Sequence, residues 1–256
     1  MGSGRALIGT SGWSYRHWKE RFYPSDVPQR KWLEYFAEHL PTVELNNTFY
    51  HQPKNSTFDG WHERTPEGFV FAVKMSRYIT HRRLLVDVEE ALQTFFSGAL
   101  RLKEKLGPIL VQLPPSLHRD DERLGAFLEL LRSKKAWSDL RCTVEFRHNS
   151  WLVEEVYELL KQANCALCWQ DLESGGVSDL TTADFLYLRR HGPGGRYASC
   201  YSDEALSHDA RLVAEHLRQG RDAYVYFNND AEAFAVQNAR TLTALVKEEV
   251  SASGSG

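Results

Sequence analysis

Acidic and basic side chains alternate with apolar ones in several short segments of this sequence. Glu44 lies between Val43 and Leu45, and Glu145 between Val144 and Phe146, followed by Arg147. Two carboxylates beside one pocket suit general acid–base catalysis. Lys74 ends the run Phe69–Lys74, and two roles are open to it. If burial lowers its pKa, it serves as a base or as a Schiff-base nucleophile. If a carboxylate pairs with it, it stays charged and anchors an anion. The second role is the favoured interpretation.

The same pattern of a polar side chain after an apolar run recurs along the chain. The predicted catalytic residues are Glu44, Lys74, Glu145 and Asp171. The predicted substrate-binding residues are Trp13, Tyr15, Asn46, Tyr50, Gln112, Arg147, Trp169, Arg189, His191, Gly194, Gly195, Asn228 and Asn229. An alternative reading makes Glu44, Lys74, Glu145 and Arg147 a structural ion-pair network.

Eight apolar runs, alternating with amphipathic segments, are the elements that must position these residues. The predicted strands are 6–9, 42–46, 69–74, 109–113, 142–147, 165–170, 184–190 and 222–227. Alternation of strands and helices predicts a parallel sheet, and eight units predict a single (β/α)8 TIM-barrel-like domain over residues 5–250. Residues 1–4 and 251–256 are expected to be flexible or tag-derived. An open doubly wound sheet is the alternative, but no G-x-G-x-x-G follows the first strand.

Three local predictions follow from turn and capping signals. The sixth helix is expected to be short or missing, because only about a dozen residues separate the sixth and seventh strands, and a crossover needs at least that many. A helix over 87–106 is expected to end at Gly107-Pro108. Ser150 is expected to cap a helix that starts at Trp151.

Composition sets limits on partners and location. A net charge of −3 predicts no general attraction to nucleic acid, so such binding needs a local basic patch. The sequence has no apolar run of about 18 residues, which argues against a membrane span. Four cysteines in 256 residues favour a reducing, cytoplasmic location. Cys165 and Cys168 match C-x-x-C, but within a strand they face opposite ways, which disfavours a redox or zinc role.

Two loops carry signals for anion binding. The loop after the seventh strand contains Gly192, Gly194 and Gly195, and Asn228-Asn229 precedes the last helix. Many barrels build a phosphate site from these two loops, although a plain glycine turn is an equal alternative. The loop after the third strand, with Arg77, Tyr78, His81, Arg82 and Arg83, suits phosphate or single-stranded nucleic acid, or is a solvated surface.

Several motifs resemble those of the YecE-like family of uncharacterised proteins. They are Ile8–Tyr15, Val43–Tyr50, Gln112–Pro115, Val144–His148, Leu188–Gly192 and Tyr226–Asp230. The resemblance covers residues 5–248 and implies a TIM-barrel-like fold. The family has no established activity, so the resemblance indicates a site without naming its chemistry.

Three functions are compatible with these residues. The first is a hydrolase, lyase or isomerase that acts on a small anionic, phosphorylated and ring-containing substrate, without a metal. The second is a nucleic-acid-binding or endonuclease-like DNA-repair protein, and the third is a non-catalytic metabolite sensor. No cofactor and no multi-metal site are expected, but a single Mg²⁺ on Glu44, Glu145 or Asp171 is left open.

Overall fold

The structure, a computed structural model, describes residues 4–171, 180–194 and 197–252. Within these ranges the chain divides into two compact units. The first unit contains residues 4–44, 170–171, 184–194 and 197–252, and the second contains residues 45–169 and 180–183. A single domain over residues 5–250 stays a prediction, since it depends on whether the two units unfold together.

Strands and helices alternate along the described chain. The strands are β1 (Ala6–Ser11), β2 (Thr42–Leu45), β3 (Val70–Lys74), β4 (Leu106–Gln112), β5 (Cys142–Glu145), β6 (Cys165–Leu167), β7 (Trp169–Gln170), β8 (Phe185–Arg190) and β9 (Asp222–Phe227). The α-helices are α1 (Trp32–His39), α2 (Asn47–Tyr50), α3 (Asn55–Glu63), α4 (Glu89–Ala99), α5 (Asp121–Ser133), α6 (Glu154–Gln162), α7 (Asp203–Arg218) and α8 (Phe234–Ala252).

Neighbouring strands pair in parallel within each unit. In the first unit β1 pairs with β2 and with β9, and β9 pairs with β8. In the second unit β3 pairs with β4, β4 with β5, and β5 with β6. Parallel strands joined through helices are the pattern of an α/β fold. The α/β, TIM-barrel-like fold class predicted from the sequence is confirmed, with the predicted sixth strand divided into β6 and β7 at Cys168.

The strand β8 is buried on both of its faces. All six of its residues, including Arg189 and Arg190, have little or no exposure to solvent. Side chains alternate between faces along a strand, so Tyr187 and Arg189 share one face while Arg190 lies on the other. Two consecutive buried arginines therefore require acidic partners on opposite faces of the same strand.

The helix predicted over 87–106 is wrong at its carboxyl end. The α-helix ends at Ala99, a 3-10 segment follows over Leu100–Lys105, and Gly107 and Pro108 lie inside β4. Lys103 adopts a positive φ of 53°, which an α-helix does not allow. The buried ammonium of Lys105 donates to the carbonyl oxygens of His62 and Thr65, each at 2.6 Å, and thereby fixes this turn.

The capping role predicted for Ser150 is also wrong. A 3-10 turn occupies Asn149–Trp151, and α6 begins only at Glu154. The Ser150 hydroxyl instead accepts a hydrogen bond from the backbone nitrogen of Arg119, at 2.8 Å, and so joins the loops that follow β4 and β5. The predicted short or missing sixth helix falls largely on residues 172–179, which lie outside the described residues.

Within residues 4–171, 180–194 and 197–252, no helix is both long and apolar enough to cross a bilayer.

Candidate functional site

Glu44 is held in the first unit by hydrogen bonds to both of its carboxylate oxygens. Oε1 accepts from the Ser11 hydroxyl at 2.8 Å and from Arg189 Nη2 at 2.9 Å. Oε2 accepts from the Tyr187 hydroxyl at 2.7 Å and from Arg189 Nε at 3.1 Å. Burial alone would raise the pKa of Glu44, but Arg189, Tyr187 and Ser11 together lower it. These four bonds use the four lone-pair positions of an ionised carboxylate.

Arg189 connects this carboxylate to a second buried group. Its Nη1 lies 3.1 Å from His191 Nε2, and His191 Nδ1 lies 3.3 Å from Asp171 Oδ1. A guanidinium can only donate, so Nε2 is the acceptor and the His191 proton lies on Nδ1, facing Asp171. A chain of hydrogen bonds thus runs from Glu44 through Arg189 and His191 to Asp171.

Asp171 ends this chain and is oriented by three groups. Its Oδ1 accepts from the backbone nitrogen of His191 at 2.9 Å, and its Oδ2 accepts from the Tyr201 hydroxyl. That hydroxyl in turn accepts from the Gly192 nitrogen at 2.6 Å. Burial would raise the pKa of Asp171, but the bonds from His191 and Tyr201 lower it below its usual value. Asp171 is therefore an ionised, partly exposed carboxylate with a fixed orientation.

The second unit places a lysine, an amide and a carboxylate on three adjacent strand ends. Lys74 ends β3 and its Nζ donates to Gln112 Oε1 at the end of β4, at 2.6 Å. Gln112 is in register with Glu145 at the end of β5, and Glu145 forms an ion pair with Arg147. Gln112 thus lies between a cation and a carboxylate at the same edge of the sheet.

Phe49 and His81 complete this cluster. Lys74 Nζ lies 4.1 Å from the centre of the Phe49 ring, a cation–π distance. The His81 ring packs edge-on against Phe49 with ring centres 4.9 Å apart. Thr48 fixes the short helix α2 on β3, because its hydroxyl donates to the carbonyl oxygen of Lys74 at 2.7 Å. We call Phe49, Lys74, His81, Gln112, Glu145 and Arg147 the Lys74 cluster.

The His81 ring lies near the positive charges of Lys74, Arg77 and Arg147, which affect its pKa. Burial lowers its pKa, and the charges of Lys74, Arg77 and Arg147 lower it further, to about 4. At neutral pH the imidazole is therefore uncharged among three cations. Burial is the largest cause of this neutrality and the three positive charges add to it, so an anion that binds there gains from their field.

The depressed pKa of His81 predicts a pH dependence of stability. The unfolded chain binds this proton near pH 6.5 and the folded chain only near pH 4, so the free energy of unfolding falls as pH decreases between these values. We expect His81→Gln to abolish this contribution, so that the variant gains stability relative to the wild type as pH falls from 6.5 to 4. Urea unfolding at several pH values measures the difference. Parallel profiles for both proteins would contradict it, and His51→Gln, at an exposed histidine, is the matched control.

Two asparagines beside the Lys74 cluster have unsatisfied acceptors. Asn46 and Asn47 are half-buried, and among the described residues their Oδ1 atoms have no hydrogen-bond partner although both atoms are shielded from solvent. A buried acceptor without a partner costs about 1–3 kcal/mol. Tyr50, three residues after Asn47, is 68% exposed, and its ring packs edge-on against Phe49 with ring centres 5.1 Å apart.

The remaining predicted site residues fall into different environments. In the first unit Trp13 accepts from the Tyr23 hydroxyl through its carbonyl at 2.6 Å, and the Tyr15 hydroxyl donates to the carbonyl of Ser11 at 2.5 Å. Trp169, in the second unit, is 3% exposed and donates to the carbonyl of Leu180 at 3.0 Å, a packing position. Three further aromatic residues of the first unit, Trp18, Phe22 and Trp32, are buried.

The glycine loop is only partly described. Gly194 has a φ of 77°, and a Cβ at this position would meet no atom within 4 Å, whereas Gly195 lies outside the described residues. The Asn228 nitrogen donates to the carbonyl of Arg190 at 2.7 Å. Asn229 is fully buried and donates to Asn238 Oδ1 at 2.9 Å. A phosphate site in this loop stays a prediction.

Sequence reasoning missed several of the groups that hold these side chains. Tyr187 could have been found, because it lies two residues before Arg189 on the same face of a strand. Tyr201 and Asp209 have no such signal, since they lie in a loop and on α7. Asp209 forms a buried bidentate ion pair with Arg190, with Nε to Oδ2 at 2.8 Å.

The described part of the chain holds no cluster of metal-ligating side chains. There, no three His, Cys, Asp or Glu side chains lie together in a way that could hold a metal ion. The single Mg²⁺ that the sequence leaves open stays a prediction. All four cysteines are free thiols.

Comparisons with known proteins identify relatives over nearly the whole chain. A DUF72 family protein from Thermotoga maritima MSB8 has a solved structure with 30% identity and a TM-score of 0.83, covering 95% of this chain and 99% of that one. A DUF72 family protein from Enterococcus faecalis V583 has 21% identity and a TM-score of 0.80, covering 94% of this chain and 95% of that one. The UPF0759 protein YunF of Bacillus subtilis (strain 168) is 26% identical, with 95% of each chain covered. The family model described as "Protein of unknown function DUF72" matches residues 7–255, and this chain belongs to that family.

Proposed function

We propose that this protein is an enzyme that acts on a small, phosphorylated and ring-containing substrate at the Lys74 cluster. The observation that carries the proposal is the placement of Lys74 beside Gln112 and Phe49, at the same edge of the sheet as Arg147. In addition to burial, the charges of these two cationic residues and of Arg77 lower the pKa of His81. A dianionic phosphate compensates these positive charges, whereas a neutral ligand does not. The proposal includes two further points. The motifs resemble those of the YecE-like family, which is a more specific assignment than the DUF72 family, and the protein is located in the cytoplasm.

Four residues of the cluster and the nearby Tyr50 have roles in this proposal. Lys74 and Arg147 bind the anion, and Gln112 orients Lys74 through its amide oxygen. Glu145, at the same edge of the sheet, is the acid–base group and is oriented by Arg147. Tyr50, with its exposed ring, stacks on the ring of the substrate.

The first unit contributes differently. All lone-pair positions of Glu44 are occupied, so the proposal gives this residue the task of positioning Arg189 rather than of moving a proton. Asp171, Arg189, His191, Gly194, Asn228 and Asn229 stay predicted site residues of that unit, and the reaction at the Lys74 cluster does not depend on them.

A thermal-shift screen tests the proposal. The panel contains inorganic phosphate, sugar phosphates, nucleotides and oligonucleotides, each with and without EDTA. A ligand at one hundred times its dissociation constant adds about 2.7 kcal/mol of stability, which such a screen detects. We expect a shift from a phosphorylated small molecule that survives EDTA, and loss of turnover of that molecule in Glu145→Gln. A shift lost with EDTA would favour a bound Mg²⁺, and turnover that persists in Glu145→Gln would overturn its role.

Nucleic-acid binding is a second candidate because of the loop after β3. Tyr78 is 47% exposed, Arg77 and Arg82 are exposed, and residues Tyr78–Arg82 form a π-helical turn, which often marks functional sites. Against it, the adjacent cleft of about 410 Å³ is lined by Asp87 and Glu90, whose charges repel a phosphate backbone. This candidate predicts oligonucleotide binding that weakens steeply with salt.

The third candidate is a non-catalytic metabolite sensor. A small ligand that binds without being turned over would favour it.

A further inference from the structure

Two cysteines lie side by side at the start of adjacent strands in the second unit. Cys142 is the first residue of β5, Cys165 is the first residue of β6, and the two residues are in register in the parallel pairing of these strands. Residues in register on neighbouring parallel strands direct their side chains to the same face of the sheet. The two thiols are therefore neighbours, although the residues do not form a C-x-x-C motif with each other.

The spacing of the two strands suits a disulfide bond. Neighbouring strands lie about 4.8 Å apart, and the two Cα atoms of a disulfide are usually about 4.4–6.8 Å apart. Asn164, directly before Cys165, lies in a turn and has a positive φ of 42°. Closure of the bond therefore needs a small movement of one turn at the end of the sheet, and the rest of the strand pairing is kept.

The two thiols differ in their access to solvent. Cys142 is 9% exposed and Cys165 is 1% exposed. A cavity of about 20 Å³, which has room for a water-sized molecule, adjoins both residues. Burial and a hydrogen bond with the Cys142 thiol raise the pKa of Cys165, which keeps this second thiol protonated. A small oxidant therefore meets Cys142 first, with the Cys165 thiol beside it.

We propose that Cys142 and Cys165 form a reversible disulfide bond when the protein meets a hydroperoxide such as hydrogen peroxide. As its thiolate, Cys142 attacks one peroxide oxygen, the O–O bond breaks, and a sulfenic acid and hydroxide form. The Cys165 sulfur then attacks the sulfenic sulfur, the S–O bond breaks, and the S–S bond forms. The two thiols lose two electrons, which reduce the peroxide, and their protons end in two molecules of water.

This redox site is independent of the reaction proposed at the Lys74 cluster. In a reducing compartment disulfides are usually transient, and departures from ideal geometry make a disulfide easier to reduce. The bond between β5 and β6 is therefore expected to open again with a thiol reductant. Its effect is protective, because a sulfenic acid that Cys165 converts to a disulfide does not proceed to the irreversible sulfinic acid.

Mass spectrometry of the purified full chain tests the proposal. The protein is treated with hydrogen peroxide, its remaining thiols are blocked with N-ethylmaleimide, and digests with and without dithiothreitol are compared. We expect the chain to lose the mass of two hydrogen atoms, and its four free thiols to fall to two. The digest should contain a cross-linked pair of peptides, one with Cys142 and one with Cys165, that dithiothreitol separates.

Serine variants assign the two roles. In Cys165→Ser the sulfenic acid of Cys142 has no resolving thiol, so dimedone should trap it, and longer treatment should give a sulfinic acid that dithiothreitol does not reduce. In Cys142→Ser the cross-link should be lost and Cys165 should stay reduced. Cys168→Ser is the matched control, because Cys168 is also buried, at 4% exposure, but is not the register partner of Cys142. It should keep the cross-link.

The wild-type chain alone can overturn the proposal, so the test does not depend on whether a variant folds. If protein that retains its circular dichroism spectrum keeps all four thiols after peroxide treatment, the proposal fails. It also fails if Cys142 of the wild type proceeds to sulfinic acid without a cross-link, since Cys165 is then too far away to react. A cross-link to Cys168 or Cys200 in place of this pair would contradict it as well.

Discussion

Replacing Glu44 with glutamine should lower the free energy of unfolding by about 3–5 kcal/mol, because it leaves a buried guanidinium without its counter-charge. Arg189 is 1% exposed, and two of its nitrogens donate hydrogen bonds to this carboxylate. Glutamine keeps the shape and one acceptor but carries no charge. For a chain of this size the corresponding loss in Tm is roughly 6–20 °C, measurable by calorimetry or circular dichroism.

Two further variants make this prediction specific. Glu38→Gln, at an exposed glutamate of α1, should change the free energy of unfolding by no more than about 0.5 kcal/mol. Replacing the ion pair as a whole, with Glu44→Leu and Arg189→Met together, should destabilise less than Glu44→Gln alone, because no uncompensated charge remains. A loss below about 1 kcal/mol in Glu44→Gln would show that water reaches Arg189.

Replacing Lys74 with methionine should weaken the binding of a phosphorylated ligand tenfold to a hundredfold. A hydrogen bond to a charged group contributes about 1.5–3 kcal/mol, and Lys74 supplies one such bond to the anion in our proposal. The same change should raise the pKa of His81, because Lys74 is the first of the three charges that lower it. Calorimetry measures the affinity, and an NMR titration of the histidine measures the pKa.

The two measurements separate a local effect from a general loss of structure. Lys54→Met, at an exposed lysine, should leave both the affinity and the pKa unchanged. If Lys74→Met raises the pKa of His81 while ligand affinity is retained, the positive field is real and the anion binds elsewhere. If the pKa does not move, Lys74 is not the source of that field.

The strand pattern could be predicted from the sequence, because burial in a parallel sheet requires apolar runs, and these runs are visible in the residue types. The boundaries of β2, β8 and β9 were predicted to within one residue. The end of α4 could not be predicted, since it depends on Lys105 reaching two carbonyl oxygens about forty residues away in the sequence. Long-range contacts of this kind override the local signal of Gly107-Pro108.

The candidate site could be predicted as a set of residues but not as a set of contacts. Strand alternation predicted that Glu44, Lys74, Glu145 and Arg189 carry polar groups at strand ends. It could not indicate that Glu44 has every lone-pair position occupied, because two of its partners, Tyr187 and Arg189, lie more than 140 positions away in the sequence. Nor could it find Tyr201, whose contact with Asp171 depends on the path of a loop.

The consecutive arginines of β8 restrict how this strand can change during evolution. Arg189 neutralises Glu44 on one face and Arg190 neutralises Asp209 on the other. A single-residue insertion or deletion upstream in the strand would exchange the faces of both arginines and leave two acids without partners. Gene variants that alter the length of this segment are therefore expected to be eliminated, whereas replacement of its apolar residues by others of similar volume is tolerated.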